Sequence, residues 1–214
     1  MNSMHPSIHR SLSILPAIAA LLGASSIGHA GILYSESSSG DLPGDYTAPH
    51  SGGSLSIGEN LISGSSVSTD RDYISFTVPA GMALSEIKLT HFASTDDRIF
   101  AALTSGTTSI DPDPATVQNR VGLLLGYTHP GTANTSALLG TDILDDLAAG
   151  PGAAGFSIPL PAGDYTFWIQ QTNGQNVDYA FDLTAVPEPA DAAWVVAALL
   201  AGTAVYRRNS AQKS

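Results

Sequence analysis

Four stretches of this chain alternate apolar and polar residues with a period of two, and that pattern limits what it can fold into. In 72–78, Ile74, Phe76 and Val78 share one parity while Ser75 and Thr77 take the other. In 84–90, Ile87 and Leu89 oppose Glu86, Lys88 and Thr90. Tyr165, Phe167 and Ile169 alternate with Thr166, Trp168 and Gln170. Tyr179, Phe181, Leu183 and Ala185 alternate with Ala180, Asp182 and Thr184. Successive side chains of a strand point to opposite faces, so each stretch predicts a strand with one dry and one wet face. Further strands are expected at 32–34, 55–61, 62–67, 99–103, 121–127 and 156–160. Turn clusters separate these stretches at short intervals, which favours an all-β, antiparallel, jelly-roll-like sandwich.

Punctuation supports that reading. Val78-Pro79-Ala80-Gly81 and Leu160-Pro161-Ala162-Gly163 each carry proline at the second and glycine at the fourth position of an expected type I turn. One short helix is expected near 141–149. Thr141 would cap it, Asp142, Asp145 and Asp146 would enrich its first half, and Ile143, Leu144 and Leu147 would form its apolar stripe. Gly150-Pro151 would stop it. Residues 31–53, rich in Ser, Gly and Pro, read as a loop-rich lead-in with one edge strand at 32–34. The sandwich domain is then expected over 54–186.

The two ends read as addresses rather than fold. Arg10 precedes an apolar run of 11 residues, Leu12 to Leu22, and Gly28-His29-Ala30 offers small residues before a cut between Ala30 and Gly31. Residues 1–30 thus predict a secretory signal peptide, too short to span a bilayer that needs about 20 residues. At the far end, Ala192 to Tyr206 is a run of 15 residues without a charge, closed by Arg207-Arg208. It is apolar all round rather than striped, which predicts a short membrane helix, not an amphipathic one. Arg207 and Arg208 would hold its end on the cytoplasmic side and stop transfer.

The tail resembles the PEP-CTERM sorting signal. Pro187-Glu188-Pro189, the apolar helix 192–206 and Arg207-Arg208 carry the resemblance, which covers 187–214. It implies Sec-dependent export, recognition by exosortase (a membrane cysteine protease-transpeptidase), and a place at the cell surface or in the extracellular matrix. Its usual setting is Gram-negative bacteria that make exopolysaccharide and biofilm. Residues 70–81 and 160–167 are similar to stretches of bacterial pre-peptidase C-terminal-like sandwiches, a likeness extending over roughly 55–186.

Composition narrows function by exclusion. Lys and Arg number 8 against 19 Asp and Glu, a net charge of −11 at pH 7, which argues against nucleic acid. Cys is 0, which removes disulfides, thiolate zinc sites and a cysteine nucleophile. No Gly-x-Ser-x-Gly, His-Glu-x-x-His or phosphate-loop motif is present. His50, His91 and His129 are widely spaced and pair with nothing nearby in sequence. No enzyme and no cofactor are therefore expected. Calcium is the one ion that the acidic pairs would suit, from Asp70, Asp72, Asp96 or Asp97. Asp111-Pro112-Asp113 lacks the glycine and the glutamate of an EF-hand loop. Asp70 and Asp72 are otherwise expected to make turn bonds feeding the following strand. Trp168, on a predicted wet face, is expected either to be covered by the 141–149 helix or to stack on a sugar.

The expected function is thus an exported surface or matrix protein. A carbohydrate- or calcium-binding adhesin is the alternative, and a hydrolase built from scattered carboxylates comes third.

Overall fold

The computed structural model of the chain describes residues 31–67, 69–111, 122–133 and 137–188. The alternating stretches all become strands. In chain order the described elements are β1 (Gly31–Ser35), α1 (Glu36–Ser39), β2 (His50–Ser54), β3 (Gly58–Ser66), β4 (Asp72–Val78), β5 (Met82–Ser94), β6 (Phe100–Ser105), β7 (Gly126–Thr128), α2 (Leu144–Ala148), β8 (Gly163–Gln170) and β9 (Val177–Pro187). They form a four-stranded sheet in the order β1-β3-β9-β5 and a five-stranded sheet in the order β2-β4-β8-β6-β7. This is a mostly β architecture compatible with a β-sandwich.

The core follows from the registers. In the first sheet Phe181 pairs with Ile62 on one side and with Leu89 on the other. In the second, Phe167 pairs with Ile74 and with Leu103. These two apolar rows belong to one buried cluster, and the Phe167 and Phe181 rings meet edge to face at 5.1 Å and 86°. That geometry is the favoured one for aromatic pairs, whose positive edge meets a negative face. Leu144 and Leu147 of α2 join the same cluster.

The sheets are mixed rather than purely antiparallel, because β1 pairs parallel to β3 and β2 parallel to β4. The stretch 31–53 is not a loop leading into the domain. It supplies an outer strand to each sheet, and Tyr34 and Leu42 from it are buried in the core. The strands expected at 55–61 and 62–67 are one strand, β3, paired without a break to β9 from Gly58 to Ser66. The strand expected at 121–127 is reduced to three residues, and 156–160 contributes only a bridge from Leu160 to Leu84.

The turn after β4 has Met82 N–H donating to the Pro79 carbonyl, with Gly81 at φ 78°. Proline is therefore the first residue and glycine the third, the type II arrangement, because only that third position needs a positive φ. Thr141 does not cap α2. Its hydroxyl donates to Leu138 O, and the Asp142 carboxylate takes the N–H groups of both Leu144 and Ile87. The helix is thereby tied to β5.

The signal-peptide and membrane-helix expectations, with Ala30, Pro189, Arg207 and Arg208, lie outside the described residues. Among the described residues no helix is long and apolar enough to cross a membrane.

Phe181→Ala should lower the unfolding free energy of the full chain by about 3–5 kcal/mol, since it removes a ring that joins both sheets. Ile32→Ser, at a side chain that is 71% exposed, should change it by less than about 0.5 kcal/mol. Urea denaturation in detergent measures both.

Candidate functional site

Asp72 shares the inward parity of Ile74, Phe76 and Val78, so β4 aims a carboxylate at the buried side of its sheet. The residue is 0% exposed. Its Oδ2 accepts a hydrogen bond of 2.7 Å from the Tyr179 hydroxyl on β9, so the contact links the two sheets. Its Oδ1 is buried with no hydrogen-bond partner. The bonds expected from Asp72 to its own turn are not made. A turn of that kind occurs instead at Asp45, whose carboxylate takes the N–H and hydroxyl of Thr47.

Two further acids approach from the N-terminal segment. Glu36 opens α1, where its Oε1 accepts the Leu42 N–H at 3.0 Å and its Oε2 the Ser65 N–H at 2.7 Å. Asp41 follows in the next loop and is exposed. One carboxylate oxygen from each of Glu36, Asp41 and Asp72 lies within 4.8 Å of the others. Glu36 and Asp41 border an open concavity shared with Ser63, Gly64 and Tyr179, and Asp72 is buried against the Tyr179 hydroxyl at its edge. Gly64 is required by the close approach. A Cβ there would stand 2.6 Å from Glu36 Cδ and 2.7 Å from the Tyr179 hydroxyl.

Electrostatics follow from this crowding. Burial, with the charges of Glu36, Asp70 and Asp41 adding to it, pushes Asp72 up to about 8 against the opposing Tyr179 bond. Burial also raises Glu36 and Asp70, each of which feels Asp41 as a like charge. Tyr179 is raised by burial and by the Asp72 charge. The ion pairs among the described residues are Lys88–Glu86 and Arg98–Asp97, so no lysine or arginine offsets this group.

The other candidate residues are placed elsewhere. Asp96 and Asp97 line a second concavity with Arg98, His129 and Asn173. There Asp97 pairs with Arg98 at 2.8 Å, and Asn173 Nδ2 donates to Asp96 Oδ2. They do not join Asp72, which corrects the calcium set read from sequence. Its true neighbours, Glu36 and Asp41, were missed. The overlooked signal was the charge at an inward position of an alternating strand.

The three histidines occupy different margins. His50 lies on β2 against the Tyr34 ring at 4.3 Å, His91 on β5, and His129 beyond β7. β2 and β7 are opposite edges of one sheet, and β5 is an edge of the other. Burial, with Arg98 adding to it, lowers the His129 pKa.

Trp168 is 6% exposed, so no platform for sugar stacking is open there. Its cover is not α2 but Tyr73, Phe100 and the loops around 46, 110 and 124. Ile110, just after β6, and Leu124, just before β7, pack on that face, and β8 is buried on both sides from Tyr165 to Ile169.

Of the sorting residues, Pro187 is the last residue of β9, paired with Met82, and it is exposed. The β3 partner ends opposite Ala185, so the missing N–H of Pro187 leaves no ladder bond unmade on that side. Glu188 is half-buried, and its N–H donates to Gly81 O at 2.9 Å. Gly31 begins β1. The chain was compared with protein-family models, with curated proteins and with solved structures, and none of them matches it.

Tyr179→Phe leaves a buried carboxyl with neither oxygen bonded and should cost about 1–3 kcal/mol in urea denaturation. Gly64→Ala should cost a similar amount by displacing Glu36 or Tyr179, about 1–3 kcal/mol. The pH dependence has a definite sign. A carboxyl raised in the fold contributes stability below its unfolded value near 3.8, lost as pH rises toward about 8. Glu36 and Asp70 act in the same direction. With a chelator present, the melting temperature should therefore fall between pH 5.5 and pH 8.5, and Asp72→Asn should flatten that fall. Differential scanning calorimetry reads both.

Proposed function

We propose that the chain is an exported, non-enzymatic surface or matrix protein. Its tail is a PEP-CTERM signal cut by exosortase after Sec export, and its setting is the exopolysaccharide matrix of a biofilm. On this reading the precursor is held in the inner membrane by helix 192–206 with Arg207 and Arg208 inside, and the product is released or transferred to the cell surface.

The observation that carries the proposal is where β9 stops. The strand leaves its sheet at Pro187, the first residue of the Pro-Glu-Pro motif. A cut within or after the motif would spare every inward residue of β9, whereas a cut a few residues earlier would remove paired backbone next to β5.

The finer fold assignment is a jelly roll of pre-peptidase C-terminal-like kind. The orders β3-β9-β5 and β4-β8-β6-β7, with the chain crossing between sheets from β3 to β6, support it. Separation of the three histidines on different sheet edges supports a role without hydrolytic chemistry. The closed Trp168 face disfavours sugar stacking at that residue.

Expression in an exosortase-positive host tests the reading by intact mass of the extracellular product. It should begin near Gly31 and end between Pro187 and Ala190. An extracellular form that still contains Lys213 would contradict it. Glu188→Ala should hold the precursor in the inner-membrane fraction without altering its melting temperature, because only its backbone is bonded to the sandwich.

A further inference from the structure

The acid group beside Tyr179 has a feature that solvation alone does not account for. Surface carboxylates are ordinarily satisfied by water, but Asp72 is fully buried and its Oδ1 has no partner. Buried polar atoms are nearly always bonded, and an exception calls for a missing partner. Glu36 and Asp41 bring two more carboxylates to the same point, with donor oxygens no more than 4.8 Å apart. Calcium binds oxygen at about 2.3–2.6 Å, so two of its ligands can stand up to about 5 Å apart across the ion. Three oxygens no more than 4.8 Å apart all lie within about 2.8 Å of one point, so a small rotation of the exposed Asp41 side chain brings them to such an ion.

The donor set also selects the metal. It contains no sulfur and no imidazole, which turns it from zinc and copper toward hard cations. Its ligands come from a short helix, a loop and a strand, an irregular arrangement that calcium accepts and octahedral magnesium disfavours. The open side of the concavity leaves room for the waters that complete six to eight ligands.

We propose that Glu36, Asp41 and Asp72 form a calcium site that fastens the N-terminal segment to the sandwich. Glu36 and Asp41 belong to the segment that carries β1 and β2, whereas Asp72 belongs to β4 and is bonded to β9. The ion closes a link between the segment and both sheets at one end of the molecule. The site does not depend on how the tail is processed.

Full-length chain purified in mild detergent tests the proposal with calcium chloride alone, by equilibrium dialysis and by thermal melting after chelation. One calcium per chain is expected, with a dissociation constant of about 10⁻⁴–10⁻³ M, as in extracellular modules. At 10 mM calcium the melting temperature should rise by about 5 °C over sodium chloride of equal ionic strength. Asp41→Asn is the decisive variant, because Asp41 is exposed and its loss leaves the fold intact. It should weaken binding at least tenfold, and Glu36→Gln should do the same. Absence of a bound ion in the parent chain at 10 mM overturns the proposal. So does binding that both variants leave unchanged, or a melting shift that magnesium reproduces in full.

Discussion

Both sheets are assembled around the last two strands of the described chain, and that ordering constrains everything else. β8 lies between β4 and β6, and β9 lies between β3 and β5. The two phenylalanines that close the core, Phe167 and Phe181, sit on these strands at the middle of their apolar rows. Neither sheet can cover its inner face until β8 and β9 have joined it. Pairing between residues 60 to 127 positions apart, as in these ladders, is the slow, entropically costly kind. The proposed sorting motif begins where this essential strand ends, so the folded unit and the tail meet with almost no spacer.

The same arrangement explains why a carboxylate is tolerated at the margin of the core. Asp72 opens β4 directly opposite the beginning of β9, where Tyr179 supplies one hydroxyl. An isolated buried carboxylate is costly, and the fold responds by holding it largely protonated around neutral pH. Gly64 keeps the space into which Glu36 reaches, and the Leu42 and Ser65 amides hold that carboxylate in place. A local excess of negative charge is thus built with backbone donors and one tyrosine, without a lysine or arginine. A divalent cation satisfies the same group directly, and the surrounding geometry is already organised for it.

Legibility differed by element. The strands β4, β8 and β9 could be placed within a residue or two because their alternation is strong and their turns carry glycine or proline. β1 was recognisable as an edge, but its parallel partner was not, since no local signal specifies which strand a short segment will join. β2, with His50, two serines and two glycines, has no apolar rhythm at all and forms only because β4 offers it an edge. The wet face assigned to Trp168 was wrong because the loop segments that cover it are distant in sequence.

The amino-acid order by itself determined the strand content, the acidic and cysteine-free character, and the apolar ends with their charge asymmetry. These are local quantities, set by a period of two, by residue counts and by the length of an uncharged run. Tertiary structure alone decided which acids meet. Glu36 and Asp41 reach Asp72 only because the N-terminal segment adds an outer strand to each sheet, while Asp96 and Asp97 find Asn173 and Arg98 instead. Convergence of that kind rests on chain crossings between sheets, which leave no periodic trace in the residues they bring together.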